Sequence, residues 1–338
     1  SYLQYHIHKF NKNKLSQNVQ SLFPPLTITN IPLTDVGLIP ILESQEIDMP
    51  KPLTVQQFFQ MFPDDNACLD HLFTLRFGAD PACPKCGELG KFRRLTKMPA
   101  YTCNCGHHIH PMVGTPFERS RPPLQKWFYA MYLLTTTPNG LSAKEIQRVI
   151  GVTYKTAWRI GHEIRKYMTW VDGDGPLGGH GPAYPIVEAD KAFIGGKDKR
   201  GKDDKTVVLG LVERGGEVLT RMIGNKRASA VVPEIIEWVR PGSRIATDEA
   251  KALIGLVEEG YQHGTVNHSQ KEYVRGPIHT NTIEAFWGWL KRGIAGTHVA
   301  VSPKHLPKYL GEFEFRFNLR KDPHLMFPLL MQSFKRAD

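Results

Sequence analysis

The chain has 338 residues, 41% hydrophobic and 22% charged, a balance that favours two or three folded domains over disorder. No apolar run reaches the roughly 20 residues that a membrane-spanning helix needs. The opening SYLQYHIHKFNKNKLSQ lacks the basic end and apolar stretch of a secretory signal, so the expected location is cytoplasmic. Lysine and arginine number 43 against 33 acids, a net charge of +10. That excess is concentrated between Cys83 and Trp170, where fourteen Lys/Arg face four acids. A single basic module of this kind is the electrostatic footprint of a polyanion binder, most often of nucleic acid.

Residues 1–48 are polar and then proline-broken, and read as a loosely ordered extension with Met49 as a candidate natural start. Residues 49–80 form a short helical lead-in, with Thr54 capping VQQFFQMF and Asp64 or Asp65 capping ACLDHLFTLRF. A cysteine-rich stretch follows over 81–113. Within 114–171, PPLQKWFYAMYLLTTT carries Trp127, Met131 and Leu134 on one helical stripe. LSAKEIQRVIG and VTYKTAWRIGHEIRKYM then form two helices joined at Gly151, capped by Ser142 and Thr153. Two helices, a glycine turn and a basic second helix describe a helix-turn-helix.

The glycine-rich segment 172–183 reads as a flexible linker, and 184–325 as an α/β domain. There IVEADKAFIGG is a strand, VLGLVER and EVLTRMIG a hairpin about a two-glycine turn, and SRIAT a short strand. SAVVPEIIEWV, EAKALIGLVEEG and NTIEAFWGWLKRGI are helices. Phe313, Phe315 and Phe317 belong to a strand or a helix and are expected in the core, as are Trp287 and, at the surface, Trp289. Residues 326–338 are left as a tail.

Four of the five cysteines lie within 83–105. Cys83 and Cys86 form one knuckle, and Cys103 and Cys105 a second, 16 residues further on. The pattern is that of a zinc ribbon, in which thiolates suit tetrahedral Zn²⁺ and the metal stabilises a domain too small for its own core. The second knuckle is irregular, so His107 or His108 is an alternative fourth ligand. Cys68 stands apart as a core thiol.

Three acids occupy the places an α/β nuclease core requires: Asp190 on the first strand, Asp248 at the end of SRIAT, and Glu284 in the following amphipathic helix. An acid on an apolar strand is costly unless it pairs or binds a cation, and such a trio can hold two Mg²⁺ or Mn²⁺ ions for phosphoryl transfer. Lys291 lies two turns beyond Glu284 on the same face, placed for a phosphate, and Asn281 is a further candidate ligand. Glu188, Asp204 and Glu249 read as solvated surface acids. His268 and His279 are ordinary histidines with a minor chance of approaching the metal site.

The order of zinc knuckles, GTPFERSRPPLQKWFYAMYLL, LSAKEIQRVIGVTYKTAWRIGHEIRKYM, VEADKAFIGG and HTNTIEAFWGWLKRGIAGTHVAVSPKHLPKYLGEFEFRFNLR resembles the ISXO-like insertion-sequence transposases over residues 81–325. The resemblance implies a bacterial DDE-type transposase with an RNase-H-like catalytic domain, acting on double-stranded DNA as a homo-oligomer. It assigns Asp190, Asp248 and Glu284 as the three acids and Lys291 as the trailing basic position. One departure is Lys191, where the family usually has an acid; strand alternation turns it to the face opposite Asp190.

The expected function is therefore binding of an element's terminal inverted repeats, then strand cleavage and transfer into target DNA. Arg93, Arg94 and Lys97 are the expected phosphate contacts; Tyr154, Lys155 and Arg159 are the expected base readers. Two other readings share these features: a domesticated regulator that binds without cutting, and a nuclease acting on branched duplexes. Metal-dependent cutting separates the first from a transposase, and selective binding of a terminal repeat separates the second.

Overall fold

Thr54 opens the first helix, α1 (Val55–Met61), with a complete capping box in which its side chain accepts from the Gln57 N–H and the Gln57 side chain accepts from Thr54. The computed structural model describes residues 52–173, 175–181, 183–196, 205–248, 255–266, 270, 272 and 274–334. The extension 1–48, Met49, Asp204, Glu249 and His268 lie outside the described residues. Asp64 caps α2 (Asp65–Phe77) by accepting from the Ala67 N–H at 2.8 Å. Asp65 instead accepts from the Gln125 N–H at 2.9 Å, tying α2 to the next helix of the core.

A three-stranded antiparallel sheet follows, β1 (Phe92–Arg94), β2 (Tyr101–Cys103) and β3 (His108–Ile109). It leans on α2 through Tyr101, whose ring stacks on Phe73 at 4.0 Å and whose hydroxyl donates to Asp70. Three helices come next: α3 (Leu124–Thr136), α4 (Ala143–Ile150) and α5 (Tyr154–Asp172). Trp127, Met131 and Leu134 are fully buried as their spacing predicts. Ser142 and Thr153 cap α4 and α5, and Gly151, left-handed at φ +62°, stops α4. The segment 326–338, expected as a tail, is a working part of this core as far as it is described. Its helix Met326–Gln332 buries Phe327, Leu330 and Met331 against α3 and α5.

The second half is built on a five-stranded sheet. Its strands are β4 (Val187–Ile194), β5 (Thr206–Glu213), β6 (Val218–Ile223), β7 (Arg244–Thr247) and β8 (Gln262–Thr265), in the order β6-β5-β4-β7-β8. The first three are antiparallel; β4, β7 and β8 run parallel. β8 was not anticipated, because QHGT is short, half exposed and lacks an apolar alternation. The hairpin turn has four residues rather than two: Glu213 N–H donates to the Glu217 carbonyl, and the Arg214 N–H donates to the Ile186 carbonyl at 3.1 Å beside the start of β4.

Helix α6 (Ala228–Trp238) covers one face of the sheet, burying Val231 and Ile235 against Val187, Ala189 and Leu209. Of the expected helix EAKALIGLVEEG, the described part is α7 (Gly255–Glu258). Helices α8 (Asn281–Gly293) and α9 (Leu306–Asn318) cover the other face, where Ile283, Phe286 and Phe313 pack on Ala192, Val208 and Val212. The phenylalanine series thus lies in a helix, with Phe313 and Phe315 fully buried. The segment expected to be a flexible linker is packed down: Leu177 is buried, donates to the Trp238 carbonyl at 2.8 Å and accepts from the Arg240 N–H at 2.9 Å.

Helix α9 joins the two halves. Its Glu312, fully buried, accepts from Arg165 of α5 at 2.5 Å and from Arg316 one turn on at 2.8 Å. Arg165 also donates to the Leu141 carbonyl just before α4, and Arg316 to the Thr137 and Leu134 carbonyls, so α9 is bound to the end of α3 and, through Glu312, to α5. At Gly311 a Cβ would collide with Thr169 of α5, so the close approach of these two helices requires glycine.

Candidate active site and metal centre

The strand register brings the first two acids side by side. β4 pairs in parallel with β7, Ala189 opposite Thr247, so Asp248, the residue after β7, stands level with Asp190 on the neighbouring strand, about 4.8 Å away along the hydrogen-bonding direction. Glu284 lies in the first turn of α8, exposed at the rim between Ile283 and Trp287, and accepts from the Thr280 hydroxyl at 2.7 Å. The three charges act on one another. Burial first, then the charge of Asp248, and further that of Glu284, raise Asp190 to about 6. Hard carboxylate oxygens whose charges oppose one another's ionisation suit a divalent cation such as Mg²⁺ or Mn²⁺. Lys191 falls between Asp190 and Ala192, whose side chains face α8, and so belongs to the opposite face.

Two residues read as ordinary in the sequence organise this site. Trp287 is buried as expected, but its indole N–H donates to Asp190 Oδ2 at 3.1 Å. It reaches that atom because the residue paired with Asp190 across β5 is Gly210, where a Cβ would run into the Trp287 and Ile283 side chains. Trp287→Phe keeps the ring and removes the donor. A hydrogen bond to a charged group contributes about 1.5–3 kcal/mol, so cleavage is expected to fall about tenfold and to need more divalent metal for its half-maximal rate. Metal titration of cleavage checks this, with the melting temperature expected to move by only a few degrees.

Glu188 corrects the reading of it as a solvated surface acid. It is fully buried and accepts from the Thr282 and Ile283 N–H groups, at 2.8 and 3.0 Å, at the start of α8. Arg214, the first residue of the hairpin turn, donates to it at 2.7 Å and spans on to the Pro277 and His279 carbonyls. Glu188 and Asp190 are two apart on β4 and share a face, so one strand carries both an acid of the trio and the anchor of the helix bearing Glu284. An anion at a helix N-terminus is favoured by the exposed N–H groups and the helix dipole. His279 places Nδ1 3.2 Å from Glu188, so its partner is this anchor. Asn281 is exposed at the first position of α8.

The second site is the cysteine cluster. Cys83, Cys86, Cys103 and Cys105 have sulfur atoms all within 4.8 Å of one another, so the fourth member is Cys105 rather than His107 or His108. Burial works to raise the Cys83 thiol, but N–H groups of Cys86 and Lys85 with the neighbouring thiols bring it down to about 7. Four converging thiols of this kind fit one tetrahedral Zn²⁺. Chelation is expected to release one zinc per chain and to unfold β1, β2 and β3, because structural zinc supplies most of the folding free energy of so small a sheet. Zinc analysis with near-UV circular dichroism of the stacked Tyr101 checks this. Cys68 is fully buried, as expected of a core thiol, and burial raises it further from ionisation.

The basic residues fall into two groups joined by one segment. Arg93 and Arg94 on β1 and Lys97 in the following turn are exposed, with Arg94 3.3 Å from Asp70. Arg94, Lys97, Ser120, Arg121 and Trp127 line one cavity of about 380 Å³. Tyr154, Lys155 and Arg159 are exposed at the start of α5. Arg159 donates to Ser120 at 3.0 Å and lies over the Trp127 ring, so segment 120–127 links the two groups. Lys144 sits over the Tyr154 ring at 5.2 Å. Arg121 was not singled out in the sequence, because its place beside the ribbon is tertiary. Trp289 donates to Asn139 at 3.2 Å.

Residues 63–108 match the transposase zinc-ribbon domain and residues 177–318 the ISXO2-like transposase domain. The chain is 27% identical over 293 residues to a protein in transposable element ISH50 of Halobacterium salinarum, covering 78% of this chain and 94% of that protein. It is 29% identical over 102 residues to a transposase-like protein of Haemophilus influenzae, covering 30% of this chain and 81% of that one. Among the described residues no helix is long and apolar enough to cross a membrane. The ribbon match contains all four clustered cysteines and the second match contains Asp190, Asp248 and Glu284, so the chain carries a transposase zinc-ribbon domain followed by an ISXO2-like transposase domain.

Proposed function

We propose that this chain is a DDE-type transposase that binds the ends of an insertion sequence, cuts a DNA strand there and joins the end to target DNA. What supports the reading is that Asp248 follows the strand paired in parallel with that of Asp190, that the charges of Asp248 and Glu284 both bear on Asp190, and that the helix carrying Glu284 is anchored to the Asp190 strand. The sheet order, three antiparallel strands followed by two parallel ones, is in keeping with the RNase-H-like fold of such domains.

Asp190, Asp248 and Glu284 would hold divalent cations, which when bound supply charge compensation at the phosphate and acidify the attacking hydroxyl. The protein's part is to aim those ligands. Trp287 holds Asp190 by one oxygen, Thr280 holds Glu284, and Glu188 with Arg214 fixes the start of α8. Lys291, exposed two turns beyond Glu284, is placed to contact a neighbouring phosphate. Catalysis of this kind is positioning and electrostatics, with no covalent bond to the protein.

The ribbon, α4 and α5 would bind the terminal repeats, α4 and α5 acting as a helix-turn-helix. Arg93, Arg94 and Lys97, joined by Arg121, would contact phosphates, and Tyr154 and Lys155 would read bases. Arg159, held by Ser120 and Trp127, would then fix the helix against the ribbon side of the duplex. The test is cleavage of DNA carrying the element's own ends, with Mg²⁺ and with Mn²⁺, beside Asp248→Ala. Nicking at the repeat boundary that needs metal and Asp248 is the expected result. Tight selective binding with no cutting in either metal would make the protein a regulator instead, and cutting without preference for the repeat would make it a general nuclease.

A further inference from the structure

Helix α8 does not end cleanly. It runs into a five-residue π-turn, Ile294–His298, a helix irregularity that recurs at functional sites. Val299 follows at φ +66°, ψ −56°, and the Ala300 N–H donates to the His298 carbonyl at 2.8 Å across it. This is a γ-turn of the rare, strained hand, and a β-branched residue is among the least suited to it. Val299 is 83% exposed, so no packing offsets the strain. Strain kept at an exposed apolar tip is the kind that marks a functional position.

The tip stands at the mouth of a cavity of about 300 Å³ lined by Phe193, Gly195, Gly196, Lys291, Ile294 and Val301. Its position follows from the sheet. Among the described residues β7 pairs with β4 as far as Ala189 and β5 pairs with it as far as Ile194, so the end of β4 that lines the cavity lies past Asp190 and beyond the β7 ladder. Lys291 is seven residues from Glu284, about 10 Å along the helix, or about three nucleotide steps of one strand. Phe193 is 48% exposed. Among the described residues the lining is apolar, with Phe193 at its edge and Lys291 as its one ammonium group, which matches a flat base attached to a phosphate.

We propose that Val299 wedges into the duplex within about three steps of the scissile phosphate, and that the base it displaces is received in this cavity, with Lys291 on the adjoining phosphate. Apolar side chains inserted between base steps unstack them and kink the duplex, and chemistry near a base is eased once that base leaves the stack. The inference rests on the transposase reading and adds to it where the duplex is opened.

The experiment uses the full chain and an element-end duplex carrying 2-aminopurine at each position around the cleavage point in turn. Fluorescence is expected to rise on binding at one position, reporting loss of stacking. Val299→Gly removes the wedge and suits the positive φ, so its melting temperature should equal or exceed the wild-type value. It should lose the fluorescence rise and cut about tenfold or more slowly, since unstacking a step costs a few kcal/mol. An abasic nucleotide at the position identified should restore its cutting, because no stacked base then resists opening. The proposal is overturned if the wild type cuts with no rise at any position, if Val299→Gly cuts and fluoresces like the wild type, or if the abasic duplex gives no rescue. In each case the transposase reading stands. A wild type that cuts under no condition removes that reading, and this inference with it.

Discussion

Asp248→Ala is expected to lower strand cleavage by at least about a thousandfold, equivalent to about 4 kcal/mol of transition-state stabilisation. The reason is positional. Asp248 stands level with Asp190 on the adjacent parallel strand, so its loss removes one side of the carboxylate set and one charge that raises Asp190. Binding of element ends should be unchanged or somewhat tighter, because an anion near the phosphate backbone is removed. Folding should be retained, since Asp248 is only half-buried at a strand end. The check is a single-turnover cleavage rate with a separate gel-shift measurement of binding. Equal cleavage by wild type and variant would remove Asp248 from the catalytic set.

Glu312→Ala carries the largest expected effect on stability, a loss of about 3–5 kcal/mol. The substitution leaves Arg165 and Arg316 buried at 2% and 4% exposure with no carboxylate between them. A penalty of that size is a large part of the 5–15 kcal/mol that holds a typical domain folded. The pair's pH dependence has a definite sign. Burial works to raise Glu312, but Arg165 and Arg316 outweigh it and hold the carboxyl down at about 2. Its contribution is therefore full above the ordinary carboxylate range and is lost as pH falls through that range toward about 2. Urea denaturation at pH 7 and pH 4 should show the Glu312→Ala deficit at both, because Glu312 in the wild type is still ionised at pH 4. A deficit confined to pH 7 would contradict this assignment. Because Glu312 holds the two arginines that join α9 to α5 and to the end of α3, the variant should also loosen the basic helix α5 from the sheet that carries the carboxylates.

Much of the site was legible because some chemistry is written in local spacing. Cysteine knuckles reveal a metal site through ligand count and separation alone, although the choice of Cys105 over His107 or His108 had to wait for the turn that brings the sulfurs together. Asp190 stood out because a carboxylate on an apolar strand needs a reason to be there. Glu188, two residues earlier on the same strand, carried the same signal and was read as surface. What distinguishes the two is the helix start above Glu188 and the arginine sent to it by a four-residue turn, 94 and 26 residues away. Likewise Trp287 had the periodicity of a core residue, and it is one. Its hydrogen bond to Asp190 depends on a glycine in β5 that no pattern within α8 reveals.

By itself, then, the sequence determined the capped helices of the first half, the central strands and the four thiols, and it singled out three acids as candidates. These depend on periodicity, capping chemistry and residue type, which act over a few residues. Only the tertiary structure decided that 326–334 closes the first core, that Glu312 joins the two halves, and that Glu188 and Trp287 serve the acids. It alone showed the strained turn at Val299 beside the cavity at the end of β4. Those outcomes turn on burial and on contacts between distant segments, where the free energy of a buried charge or hydrogen bond is set by what the fold places around it.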